Sequence, residues 1–180
     1  MIVYHGSDSN FKKLRIAKDL VKRISTADNG GMGIYFSTDK MVARSYGKYI
    51  YTLEVNDSCF LDFRKESVCK SYVNKIIQEV YQKCGVNLYY YFDSNHLCNR
   101  MYWGGQSIYM VGKEISDVLE NTDRFYCSFT ETKRREVYRV LRSYDKRLKA
   151  YMFNYHIKDI GVLKSVDDNV VKIINKESSY

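Results

Sequence analysis

Gly31-Met32-Gly33-Ile34-Tyr35-Phe36-Ser37-Thr38-Asp39-Lys40 decides how this chain is read. Two glycines give way to three residues with strong strand preference, and Ser-Thr-Asp then stops the strand. Thr38-Asp39 can cap a following helix that carries Met41, Val42 and Ser45 on one side. A second tyrosine, Tyr46, lies eleven residues beyond Tyr35. About thirty residues upstream stands Tyr4-His5-Gly6-Ser7, a histidine at the end of a short apolar run with a glycine straight after it. Together the two stretches read as two walls of a small-molecule site, and one wall can stack a flat ring.

Outward from these motifs the chain divides into three parts. Ile2 to His5 reads as a strand, Phe11 to Arg23 as a helix (Leu14, Ala17, Leu20, Val21), and Ser25 to Met32 as a mobile loop. Gly33 to Ser37, Tyr49 to Val55 and Cys59 to Phe63 read as strands, the second by its alternation of Tyr49, Tyr51, Leu53 and Val55. The middle is helical: Glu66 to Cys84, stopped by Gly85, then Ser107 to Glu120 and Glu131 to Tyr144. Strands return at 150–155, 157–163 and 170–174. This order, strands at both ends around helices, is α+β. A length of 180 residues fits one domain, 1–180.

Hydrophobic residues make up 45%, which excludes a disordered or fibrous chain. No apolar run is long enough for a membrane span. The first residues lack the marks of a secretory signal, so the expected compartment is the cytoplasm of the producing or infected cell. Five cysteines without a CxxC argue against a disulfide framework or a zinc site, and no metal is expected. The formal charge of +8 favours anionic partners. Basic residues cluster at Lys12, Lys13, Arg15, Lys18, Lys22 and Arg23, and again through Lys133, Arg134, Arg135, Arg139, Arg142, Lys146, Arg147 and Lys149. Either cluster also fits an ordinary solvated helix face.

Tyr4-His5-Gly6-Ser7 with Phe11, followed by Gly31-x-Gly33-Ile34-Tyr35-Phe36-Ser37-Thr38-Asp39-Lys40-x-x-Ala43-x-x-Tyr46, resembles the ADP-ribosyltransferases. More narrowly it is similar to the His-Tyr-Glu branch, which holds diphtheria toxin, the poly(ADP-ribose) polymerases and small bacterial and phage enzymes. The likeness covers about the first 63 residues well and the end of the chain weakly. Residues 64–147 have no counterpart and form a helical insert. The resemblance implies a split, strongly bent mixed β core of two packed sheets, with NAD in the cleft between them and the insert to one side.

It also implies roles. Tyr35 and Tyr46 would face the nicotinamide ring, a flat and electron-poor pyridinium that aromatic faces hold well. Gly6 would offer one backbone donor and one acceptor to the nicotinamide amide. His5 would bond the adenosine-side ribose, and Ser7 would add a hydroxyl contact. The family's third residue is a glutamate opening a late strand, where it steadies positive charge on the ribose as nicotinamide leaves. Here Lys158-Asp159-Ile160-Gly161-Val162-Leu163 occupies that place, so Asp159 is the candidate; Glu131, Glu114 and Gln106 are others. The implied activity is mono-ADP-ribosyl transfer from NAD, the co-substrate, to a macromolecule. A protein acceptor ranks ahead of a nucleic acid, because no nucleic-acid-binding motif is present. Effector, toxin or anti-CRISPR roles are known for such small transferases. The alternatives are a transferase-shaped binding module without chemistry and a transferase acting on nucleic acid.

Overall fold

The computed structural model of the chain describes residues 1–16, 33–88, 130–155 and 158–178. Its elements are β1 (Ile2–Ser7), β2 (Ile34–Phe36), α1 (Lys40–Arg44), β3 (Tyr49–Val55), β4 (Phe60–Asp62), α2 (Glu66–Cys84), α3 (Glu131–Arg147), β5 (Ala150–Tyr155), β6 (Lys158–Leu163) and β7 (Val171–Ser178). A 3-10 turn at Asp57–Cys59 links β3 to β4. The strands form two sheets, ordered β1-β3-β7 and β2-β6-β5-β4. All pairings are antiparallel except β4 with β5, which is parallel. The fold is therefore α+β, as the element order predicts, with its strands in two sheets.

Strand alternation explains how the layers stack. Along β5, Ala150 and Met152 face a core shared with Val3, Tyr51, Leu53 and Val55 of the three-stranded sheet. The intervening Tyr151 and Phe153 face a second core, built with Val73, Ile77 and Val80 of α2 and Val137 and Leu141 of α3. The four-stranded sheet thus has a packed core on each face, one against the other sheet and one against the helices.

The helices begin and end where local chemistry dictates. The Asp39 carboxylate caps α1 by accepting from the Met41 N–H at 2.8 Å. Gly85 closes α2 at φ 65°, a left-handed conformation that favours glycine, and its N–H donates to the Tyr81 carbonyl at 2.8 Å. The buried face of α2 is Cys69, Val73, Ile76, Ile77, Val80 and Cys84, while Val68 and Tyr72 are half-buried beside it. A contact cluster ties α2 to α3: the Tyr144 hydroxyl donates to Glu79, and Lys83 meets Glu79 at 2.6 Å.

The opening strand does not stop at His5 but runs to Ser7, because Gly6 and Ser7 pair with Ile50 and Tyr49 of β3, and three larger expectations change. The helix read from Phe11 to Arg23 is not helical over its described residues, 11–16; the remainder, and the loop before Met32, lie outside the described residues. Phe11 instead stacks on Tyr51, with ring centroids 3.9 Å apart at 5°, and Leu14 is buried in the intersheet core. Burial of these side chains overrides a helical spacing that local sequence alone supports weakly. β7 runs to Ser178, four residues past its expected end, because backbone pairing with β3 holds an edge strand whose side chains are mostly polar and exposed. Finally, α3 continues to Arg147 rather than Tyr144. The helix read at 107–120 lies outside the described residues.

Candidate functional site

The site is built where the two sheets part. Tyr4 of β1 and Ser37, just past β2, exchange backbone hydrogen bonds at 2.8 and 2.9 Å. Continued in register, that ladder would next pair Gly6 with Tyr35. It does not continue: the Tyr35 carbonyl bonds the His5 ring instead, at 2.7 Å from Nδ1. A carbonyl can only accept, so Nδ1 carries the proton and donates. Burial lowers the His5 pKa, against the opposing effect of the bond to Tyr35, so the ring stays neutral and its Nε2 is left as an acceptor.

Beyond the Tyr4–Ser37 bridge, β1 and β2 are thus linked by the His5 side chain and not by a further backbone pair. In an antiparallel strand, the N–H and C=O of one residue point to the same side, and successive residues alternate. Tyr4 points both groups at Ser37, so Gly6 presents its own donor and acceptor at the same edge, beyond the bridge. The histidine side chain lies on the other face of β1, near Phe11 and Tyr51 with ring centroids at 6.1 and 6.2 Å.

Gly6 is also where α1 presses against β1. A Cβ built on Gly6 would lie 1.9 Å from the Ala43 carbonyl oxygen and 3.2 Å from the Tyr46 Cβ. Tyr46 thus lies next to Gly6, and it is 60% exposed. Tyr35 and Val42 of α1 are both half-buried against the helical core. Val42 and Tyr46 are one helical turn apart, although α1 itself ends at Arg44. Ser7 ends the strand, its hydroxyl accepting from the Ser9 N–H at 3.1 Å.

Asp159 is joined to this group through Ser37, which is buried. The Ser37 hydroxyl donates to the Asp159 carbonyl at 2.9 Å and accepts from the Asp39 N–H at 3.1 Å. The Asp159 carboxylate is bound by the Arg64 guanidinium. Arg64 also grips Asp62 with two bonds, Nε to Oδ1 at 2.7 Å and Nη2 to Oδ2 at 2.9 Å. Hydrogen bonds to Asp62, outweighing burial, raise the Arg64 pKa further. Burial alone would raise the Asp62 carboxyl, but its bonds to Arg64 win and hold it below its ordinary value. Along β6, Ile160 and Val162 turn to the helical core with Tyr35, so alternation sets Asp159 on the opposite face.

The structure therefore brings His5, Gly6, Tyr35 and Tyr46 into one neighbourhood and ties Asp159 to it by backbone, with the carboxylate occupied by arginine. Glu131 sits in the first turn of α3, paired with Arg135; Glu114 and Gln106 lie outside the described residues. Sequence reading missed Ser37, Asp62 and Arg64. Asp62 closes β4 and Arg64 follows in the turn two residues on, opposite charges close enough in sequence to signal a pair. Among the described residues, no group of three or more His, Cys, Asp or Glu could hold a metal ion. Nor is any helix there long and apolar enough to cross a membrane.

The His5 contact gives a pH dependence. A histidine whose pKa falls on folding binds fewer protons folded than unfolded, so stability rises with pH across that window. The contribution is fully present above the ordinary value of 6.5 and is lost as pH drops below 6.5 through the depressed value. Thermal melts should show the wild type losing more stability than His5→Asn between neutral pH and pH of about 5. Equal losses in the two proteins would contradict the buried neutral ring.

No family model matches the chain, and no curated protein matches it. Among solved structures, the fold is similar to the crystal structure of an anti-CRISPR protein, at 10% identity over 97% of this chain and 95% of that chain, with a TM-score of 0.43. A likeness of that extent carries no functional inference, and the resemblance to the ADP-ribosyltransferases rests on the sequence motifs alone.

Proposed function

We propose that the chain is a mono-ADP-ribosyltransferase that uses NAD as co-substrate and acts on a macromolecular acceptor. The observation that carries this reading is the β1 edge at Gly6, beyond the Tyr4–Ser37 bridge, beside the His5–Tyr35 bond and close to Tyr46. That edge offers one donor and one acceptor side by side, which is what a primary amide on a flat ring needs. His5 Nε2 is an acceptor for a ribose hydroxyl, and Tyr46 and Tyr35 supply aromatic surface. These residues fit NAD. In the transfer, the ribose–nicotinamide bond breaks and its electron pair leaves with neutral nicotinamide. A lone pair of the acceptor then forms the new bond to ribose, and the acceptor's proton goes to solvent.

Asp159 fits less well, because Arg64 neutralises it and it lies out of phase with Tyr35. That pair favours the second reading, a module that binds NAD or a partner without turnover. Both are tested by incubating the protein with NAD and cell lysate, following nicotinamide release by chromatography and adducts by mass spectrometry. The transferase reading expects release, with Tyr46→Ala lowering kcat/KM roughly tenfold, the equivalent of about 1.4 kcal/mol from one ring contact. If Asp159 steadies the developing charge, Asp159→Asn lowers kcat by about 10²- to 10³-fold with KM little changed. NAD binding without any nicotinamide release sinks the transferase and leaves the module.

A further inference from the structure

One exposed face of α3 has no place in the NAD-site reading. Val137, Val140, Leu141 and Tyr144 turn inward to the helical core. On the outward side stand Arg135, Arg139, Arg142 and Lys146, all exposed, with Lys149 exposed just past the helix end. Their spacing of four, three, four and three residues is that of a single helical face. At 3.6 residues per turn the four helical positions fall within an arc of about 60° and span roughly 16 Å. Neighbours along the row stand about one turn apart, ~5–6 Å.

Three acids of this region are taken up: Glu131 holds Arg135, Glu136 holds Lys133, and Glu79 is shared by Lys83 and Arg147; the side chain of Asp145, the remaining acid of α3, lies outside the described residues. Arg139, Arg142, Lys146 and Lys149 have no acidic partner among the described residues. Three cations lined up on a packed helix, with a fourth just past its end, repel one another, and a ligand of regularly repeated negative charge relieves that repulsion.

We propose that this row on α3 binds the sugar-phosphate backbone of a nucleic acid. A nucleic-acid strand carries one charge per about 3.4 Å of axis, so a row of this length can face several phosphates at once. The arginine forks suit phosphate oxygens better than point charges would. A membrane is a poorer partner, because a surface-bound helix presents its apolar face to lipid, and that face of α3 is in the core. An acidic protein is poorer too: stable protein interfaces rest on buried aromatic or large anchors, and the exposed large hydrophobics among the described residues, Ile2, Met41, Tyr46, Tyr81 and Ile174, are all off α3. Backbone contacts of this kind position a protein on nucleic acid without reading sequence.

The test is fluorescence polarisation of the full chain with labelled probes of arbitrary sequence: a duplex DNA of about 20 base pairs, and single-stranded DNA and RNA of equal length. Titrations run from about 50 to 200 mM salt. Four phosphate contacts predict a log–log salt slope near −3.6 for the duplex, about −0.9 per contact. The double variant Arg139→Gln/Arg142→Gln should reduce the steepness by about 1.8, with the melting temperature unchanged. Arg139→Lys/Arg142→Lys should keep the slope. The three probes separate duplex from single-strand preference. No binding to any probe at the lowest salt, or equal slopes for wild type and the Gln variant, would overturn the proposal. So would binding of polyglutamate or phosphatidylserine vesicles in place of nucleic acid. Each of these results is independent of NAD turnover.

Discussion

An alanine at position 6 is expected to lower the thermal midpoint by roughly 6–12 °C. The added Cβ would lie 1.9 Å from the Ala43 carbonyl oxygen, so either α1 or β1 must move by more than an ångström. The obstacle is backbone rather than a side chain that can swing away, which puts the loss at the upper end of the range for overpacking, about 3 kcal/mol. For a chain of this length, 1 kcal/mol corresponds to about 2–4 °C. The displacement has a second effect. Since α1 leads into Tyr46, pushing it off β1 carries the exposed ring away from the Gly6 edge. NAD affinity should therefore fall in the same variant even at temperatures where it stays folded. Differential scanning fluorimetry and NAD titration read the two effects separately. An unchanged midpoint would show that the helix does not pack on β1 as described.

Phe63→Ala should be the most damaging single truncation, at about 3–5 kcal/mol. Phe63 is fully buried directly after β4, and its backbone N–H donates to the Met152 carbonyl at 3.0 Å. Its ring lies 5.5 Å from that of Tyr72 on α2 and 5.7 Å from that of Tyr151 on β5. It therefore joins the sheet to the helical layer at the point where the chain turns from one into the other. Against a usual total of about 5–15 kcal/mol, such a loss leaves little reserve. Urea unfolding should show a large drop in midpoint, and Phe63→Leu should restore part of it. A drop smaller than that of an exposed control such as Tyr81→Ala would mean the aromatic cluster does not hold the layers together.

Elements with their own local signals were legible in advance. β3 announces itself by alternation, and α2 by its apolar stripe and the glycine that stops it; both are found at the expected residues. Other parts depend on distant contacts that no local pattern encodes. Phe11 and Leu14 look helical in spacing, yet their positions are set by Tyr51 and the intersheet core, about forty residues away. β7 is read short because its last residues are polar, and only its pairing with β3 extends it. The site shows the same division. His5, Gly6, Tyr35 and Tyr46 stand out in the sequence by spacing. The partner of Asp159 is Arg64, 95 residues earlier, and nothing near Asp159 announces it.

The four-stranded sheet has consequences for how this protein can change. Because it carries a core on each face, α2 and α3 are a wall of the building and not an annex. A chain trimmed to its strands would lay bare Phe63, Tyr151, Phe153, Ile160 and Val162 together, a sticky surface that invites aggregation. Variation in partner choice must then be written on the outward side of the helices, one residue at a time, with the layer itself inherited whole.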